Sequence, residues 1–428
     1  MNKEVFEWVG INDLRTGLFV ELDVGWMSHP FPTGSFKISS DKQIDTIRSL
    51  GLERVRVVPS KSDLPETTDP APTVQEPVVL DERRAAALRD QQLRKARAEL
   101  LAAQNNSLIV CERRFGESVR QYRKTVDTVQ SRPLEAAKQC VDMVHGFVSE
   151  MMQEGESAIR LLTEAAGDKS AMHPVNVTVV SLLLGKAIGM EQHALVDLGV
   201  AAFLHDVGKI ELPDRVRWPD DTFTSAQHKL YQEHVMQGVR LAKNMELSAA
   251  AIQTIGQHHE LADGSGFPAH VVASSMSQAA RVLSLVNRYD NLCNPSKQGA
   301  AMTPHEALAL MFAQQKSRFD TVVLSAFIRM MGVYPPGSVV QLVDERYAIV
   351  VSVNSTRPLK PRVVVHEPGV PKHEALILDL ERVPNIGIRR SLKPANLPVA
   401  AQEYLAPRQR ICYFFEHAGA LQEEEAVA

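Results

Sequence analysis

The sequence predicts a multidomain protein: a small α+β domain at the amino terminus, an all-α domain through the middle and a small β-rich module near the carboxy terminus. Three observations predict it. Hydrophobic periodicity becomes helical after Pro133 and gives way after Tyr334-Pro335-Pro336-Gly337 to short β-branched runs punctuated by turn residues. The stretch from Ser60 to Pro77 is rich in Pro, Asp, Thr, Ser and Glu, and a segment so poor in apolar side chains reads as a solvated linker. Finally, 428 residues with 44% hydrophobic and 23% charged side chains leave length for two or three domains with sizeable cores. The boundaries follow as 1–62 for the α+β domain, 63–80 for the linker, 81–130 for a helical connector, 131–333 for the helical domain, 334–391 for the β-rich module and 392–428 for a tail.

Within 1–62, Leu18 to Leu22 and Val55 to Val58 are short strand-like runs, and Ser40 to Leu50 is helical, with Ile44, Ile47 and Leu50 on one face. Asp81 to Leu101 and Arg113 to Val129 are Ala-, Arg- and Glu-rich and predict an extended helical connector. Its charges read as a solvated face, a dimerisation or interdomain surface being the alternative. Apolar positions spaced by three or four then predict helices over Ala136 to Met152, Val175 to Ile188, Ala194 to Leu204, Gln227 to Asn244, Ala249 to His258 and Ser277 to Leu292. Val339 to Val343, Tyr347 to Val353, Arg362 to Val365 and Ala375 to Leu378 predict strands. From Leu392 the chain reads as a loosely held tail ending in Glu423-Glu424-Glu425.

A net charge of −4 provides no basic field, which argues against general nucleic-acid binding and favours a small anionic ligand. No run approaches the roughly 18 apolar residues of a membrane span, and the start lacks a signal peptide's apolar core, so a cytoplasmic location is expected. Cys111, Cys140, Cys293 and Cys412 lack metal or disulfide spacing and read as buried free thiols.

The chemistry concentrates in Phe203-Leu204-His205-Asp206-Val207-Gly208-Lys209, where consecutive positions offer an imidazole and a carboxylate. His234, then His258-His259-Glu260 and Asp263-Gly264-Ser265-Gly266-Phe267-Pro268, follow within about sixty residues. Donors of these kinds, with no thiolate among them, suit divalent Fe, Mn or Zn. This series of motifs resembles the HD-GYP branch of the HD metal-dependent phosphohydrolases over roughly residues 131 to 332. Ile11 to Val20 and Trp26 to Phe31 resemble a small domain often found ahead of such modules in bacterial proteins.

The resemblance implies an all-α domain of the HD type and a phosphodiesterase hydrolysing cyclic di-GMP to pGpG or onward to GMP. It implies His173, His205, Asp206, His234, His258 and His259 as ligands of two divalent ions, Fe or Mn, with Asp206 able to bridge them. It implies Lys209 as a contact to the scissile phosphate; if the helix before it continues, Lys209 lies one turn beyond His205 on the same face. Asp263, Gly264, Gly266, Phe267 and Pro268 form a loop that in the family borders the site and is linked to diguanylate-cyclase (GGDEF) partners. Phe267 stands where the family has a tyrosine, which keeps the ring and drops the hydroxyl.

Three departures bear on activity. Asn287 occupies the position of a family metal-binding aspartate, leaving a neutral, weaker donor unless Asp290 or a water compensates. Lys169 replaces a glutamate of trinuclear relatives, which argues against a third ion. An Arg-Pro-Tyr segment is absent beyond Asn287, and only Lys297 of Cys293-Asn294-Pro295-Ser296-Lys297 offers a substitute charge for a substrate phosphate. The alternative reading is a catalytically weak or inactive module that binds nucleotide or a partner. The sequence leaves open whether the chain forms a homodimer.

Overall fold

The computed structural model describes residues 6–23, 31, 33–63, 76–153, 157–163, 169–219, 222–296, 301–353, 359–383 and 385–417. Most of the linker, Trp26 to Pro30 and Lys297 lie outside the described residues. The chain divides into two units, Met1–Ala85 and Ala86–Ala428.

The first unit pairs β1 (Glu7–Gly10), β2 (Phe19–Glu21), β3 (Ser35–Lys37) and β4 (Arg54–Val57) in the antiparallel order β1-β4-β2-β3. Alternation places Val55 and Val57 inward on β4, where they meet Val20 and the Ile44 and Ile47 face of α1 (Asp41–Arg48) in one apolar cluster. The expected α+β character of this region is therefore present.

Helix α2 (Glu76–Thr128) is continuous where the sequence suggested two stretches, and it starts inside the segment read as linker. Its last third is the apolar part, with Cys111, Phe115, Val119 and Tyr122 buried. Tyr122 meets Phe203 edge to face at 5.2 Å. The helical layer continues with α3 (Pro133–Met151), α4 (Lys169–Ala187), α5 (Gln192–Leu204), α6 (Asp214–Arg217), α7 (Ser225–Asn244), α8 (Ala249–Gln257), α9 (Gln278–Cys293), α10 (Pro304–Gln314) and α11 (Thr321–Met331). Leu198 to Leu204 are all buried, so α5 runs through the middle of this layer.

The strands depart from the expected freestanding carboxy-terminal module. β5 (Ser157–Leu161) lies within the segment read as all-helical. It joins β6 (Val339–Leu342), β7 (Tyr347–Val353), β8 (Arg362–Val365), β9 (Ile377–Asp379), β10 (Ile388–Leu392) and β11 (Tyr413–His417) in one antiparallel sheet. Five residues of β5 pair with β11 and two with β7. The loose-tail reading is also corrected for 392–417, residues 418–428 lying outside the described ones: this stretch includes α12 (Val399–Leu405) and β11, with Tyr413, Phe414 and Phe415 buried. The apolar run Ile411 to Phe415 explains this, since five consecutive apolar side chains gain more from burial than a tail gains from freedom. Helices and sheet share one continuous hydrophobic core.

Candidate metal centre

Three histidines reach the site by the same local device. His205 ends α5, His234 lies within α7 and His258 ends α8. Each Nδ1–H donates to the carbonyl three residues earlier: His205 to Ala202 at 2.7 Å, His234 to Tyr231 at 2.6 Å and His258 to Ile255 at 2.6 Å. That bond fixes the tautomer and leaves each Nε2 lone pair free. The lone pairs then converge. His173 and His205 approach at 3.1 Å between Nε2 atoms, and His234 and His258 at 3.2 Å.

Three of these rings, His205, His234 and His258, are held neutral. Burial pushes His205 down to about 4 and His234 and His258 down to about 3, outweighing the opposite pull of Asp206. Burial also lowers His259, with His258 and His234 adding to it. Neutral imidazole lone pairs facing one another lack a shared proton, and His259 Nε2 and Asp206 Oδ1 are buried without any hydrogen-bond partner. Such a set of converging acceptors fits divalent cations.

The acceptors fall into two groups joined by one carboxylate. His173, His205 and Asp206 present ligand atoms within 4.8 Å of one another, as do Asp206, His234, His258 and His259. Asp206 Oδ2 faces His205 at 3.4 Å and His173 at 3.6 Å, whereas Oδ1 faces His234 at 3.6 Å and His258 at 3.9 Å. Burial favours its protonation, yet Lys209 and the histidines hold the Asp206 carboxyl well below the usual carboxylate range.

Gly208 explains part of the spacing. A Cβ there would lie 2.0 Å from the His234 carbonyl oxygen and 2.4 Å from Gly238 N, so glycine lets this turn press against α7. The turn, Val207–Glu211, is a 3-10 helix and not the expected continuation of α5. Lys209 nevertheless reaches the site, its Nζ donating to Asp206 Oδ2 at 2.7 Å. The ammonium sits 5.1 Å from the Trp218 ring and 5.4 Å from the Tyr231 ring. Burial alone would lower its pKa; the Asp206 carboxylate outweighs that and raises it.

On α9 the charged group that reaches the histidines is Asp290. Its Oδ2 accepts from His173 Nδ1 at 2.5 Å and its Oδ1 from Asn294 Nδ2 at 2.9 Å, with Asn176 Nδ2 on the same oxygen. Asp290 thus orients His173 with its Nε2 toward His205. Asn287 is buried, its amide oxygen accepting from Asn291 Nδ2 at 2.7 Å. Sequence reasoning named Asp290 only as a substitute ligand, because which histidine a helical carboxylate meets depends on long-range packing. It missed Asn176, Trp218 and Tyr231 for the same reason.

The glycine-rich loop holds His259 from outside. Phe267 stacks on its ring at 4.4 Å with 22° between planes. Asp263 Oδ1 accepts from Ser265 N at 3.0 Å and Ser265 Oγ at 2.6 Å, so this exposed carboxylate folds the turn. Gly264 takes φ +78°, and a Cβ on Gly266 would lie 2.4 Å from Leu261 N. Pro268 follows a cis peptide. Buried Glu260 anchors the loop's far side, accepting from Ala269 N at 2.6 Å and Val271 N at 3.1 Å. A cleft of about 420 Å³ opens beside the centre, with His173, Lys209, Trp218, Tyr231, Asn291 and Arg410 among its lining.

Comparison with known proteins gives a consistent picture. Residues 149–323 match the family model described as an HD domain, and residues 9–140 match a domain of unknown function, DUF3391. The chain is 25% identical over 362 residues to a cyclic di-GMP phosphodiesterase of Pseudomonas aeruginosa, covering 83% of this chain and 84% of that protein. It is 26% identical over 212 residues to a cyclic di-GMP phosphodiesterase response regulator of Xanthomonas campestris pv. campestris, covering 49% of this chain and 56% of that protein. Among solved structures, an HD-GYP-type protein from Bdellovibrio bacteriovorus aligns at 15% identity with a TM-score of 0.42, covering 76% of this chain and 98% of that one. The His-Asp pair and the His-His pair accord with the first of these matches: residues 149–323 carry an HD domain, and residues 9–140 carry a DUF3391 domain.

Proposed function

We propose that this protein is a di-metal phosphodiesterase that hydrolyses cyclic di-GMP to pGpG, GMP or both, a reading supported by its likeness to the Pseudomonas and Xanthomonas cyclic di-GMP phosphodiesterases. The observation that carries the proposal is Asp206, whose two oxygens face two separate histidine groups and so suit a bridge between two ions. The first ion would be held by His173, His205 and Asp206, the second by Asp206, His234, His258 and His259. Bound Fe or Mn would supply Lewis acidity to polarise a phosphodiester and ease deprotonation of water.

The chain's own groups do the rest. Lys209 keeps its proton at Nζ beside Asp206, placing fixed positive charge where a phosphoryl group gains negative charge. Trp218 and Tyr231 flank that ammonium and offer aromatic surface to a guanine base. Phe267 keeps the His259 ring in place, and its loop is the surface we assign to a diguanylate-cyclase partner.

The test is metal analysis of the purified protein together with product analysis from cyclic di-GMP under anaerobic Fe(II) and under Mn(II). Two ions per chain and release of pGpG or GMP are expected. Faster turnover of another cyclic dinucleotide would reassign the substrate, and nucleotide binding by loaded protein without turnover would favour a non-catalytic module.

A further inference from the structure

One wall of the cleft comes from a distant part of the chain. The backbone entering β11 is stapled to the helices by two asparagines. Ile411 N–H donates to Asn294 Oδ1 at 2.8 Å, and its carbonyl accepts from Asn294 Nδ2 at 2.8 Å and Asn176 Nδ2 at 3.3 Å. Tyr413 N–H donates to Asn176 Oδ1 at 2.7 Å. Both asparagines also bond Asp290, so this backbone is positioned by the same carboxylate that orients His173.

The side chain so placed is Arg410, which lines the cleft with His173 and Lys209. Among the described residues no carboxylate or carbonyl pairs with its guanidinium, and its Nε is buried without an acceptor. The Nε has no solvent access, so oxygen atoms of a ligand in the cleft would meet the guanidinium through its terminal nitrogens, which have no described acceptor of their own. Lys209, the other cation among the described lining residues, is committed to Asp206. A guanidinium presents a planar fork of donors matched to two oxygens of one phosphate.

We propose that Arg410 is a substrate-binding residue whose guanidinium receives a phosphodiester of the bound nucleotide. The identity of that nucleotide rests on the function proposed above, whereas phosphate recognition rests on the cleft itself. The strand that completes the sheet thereby supplies a cation to the cleft.

The test compares full-length, metal-loaded wild type with Arg410→Ala, Arg410→Lys and, as a control in a separate surface cleft, Arg389→Ala. Metal content and melting temperature are expected to stay unchanged in all four. In Arg410→Ala, KM for cyclic di-GMP and the inhibition constant for inorganic phosphate should rise about ten- to hundredfold, with a smaller change in kcat. Arg410→Lys should recover part of the loss, and Arg389→Ala should match wild type. Wild-type KM and phosphate inhibition in Arg410→Ala would overturn the proposal, as would loss of metal or of thermal stability in that variant, which would mark a structural role. Should loaded wild type leave cyclic di-GMP intact, direct titration with inorganic phosphate separates the two claims. Arg410-dependent phosphate binding would then uphold this inference while the functional reading fell, and absence of phosphate binding would overturn both.

Discussion

Asp206 has its two oxygens turned toward different histidine groups, and its negative charge offsets the Lys209 ammonium packed against it. Replacing it by alanine should remove metal loading and hydrolysis together, with far-ultraviolet circular dichroism unchanged; metal content equal to wild type would refute the shared-carboxylate arrangement. The buried histidines make a second prediction. His205, His234 and His258 have folded pKa values of about 4, 3 and 3 against an ordinary value of 6.5. Below pH 6.5 the unfolded chain binds protons that the folded chain refuses, so stability falls as pH falls. Metal-free protein should therefore melt at progressively lower temperature from pH 6.5 toward pH 4, and a flat profile across that window would contradict neutral, buried rings. At this scale the sequence was most legible where the converging groups are neighbours, as in His205-Asp206 and His258-His259. It was least legible at Asp290 and Arg410, whose roles arise from contacts between segments separated by more than a hundred residues.

Among the elements, the loop after α8 bears on the site through the side chain it packs against, His259. Its glycines are steric requirements: a Cβ on Gly266 would lie 2.4 to 2.5 Å from Leu261 N, Glu260 Cα and the His259 carbonyl oxygen. Gly266→Ala must shift that backbone and with it Phe267, which stacks on His259. Isothermal titration with Mn(II) should show weaker binding at one of two sites, by about tenfold or more if the effect resembles the loss of other groups that orient ligands. Unchanged affinity at both sites would leave the loop a role in partner or substrate contact alone. The composition of the loop was readable in the sequence; its stacking on one particular histidine was not. The 3-10 turn carrying Lys209 was hidden for a related reason. Helical spacing fits both geometries, and the close approach of Gly208 to α7 decides between them.

Over the second unit as a whole, helices and sheet share one core, which the period changes at 131 and 334 had separated into domains. Periodicity reports which face of an element is apolar and says nothing of what that face meets, so β5 and β11 went unassigned to a common sheet. Phe414 tests this unity. It is fully buried in β11 and packs edge to face on Phe147 of α3 at 5.7 Å. Removing a buried phenylalanine costs about 3–5 kcal/mol. If the core is continuous, Phe414→Ala should lower hydrogen-exchange protection in β7, at Val350, and in α4, at Val180, by the same free energy, because both unfold in one transition. If sheet and helices were separate domains, Val350 would lose protection while Val180 kept it. The asparagine staples at Ile411 and Tyr413 favour the joint loss, since they tie the strand that contains Phe414 to the helix that carries His173. A single strand far from the histidines in sequence would then set the stability of the histidine cluster along with that of the sheet.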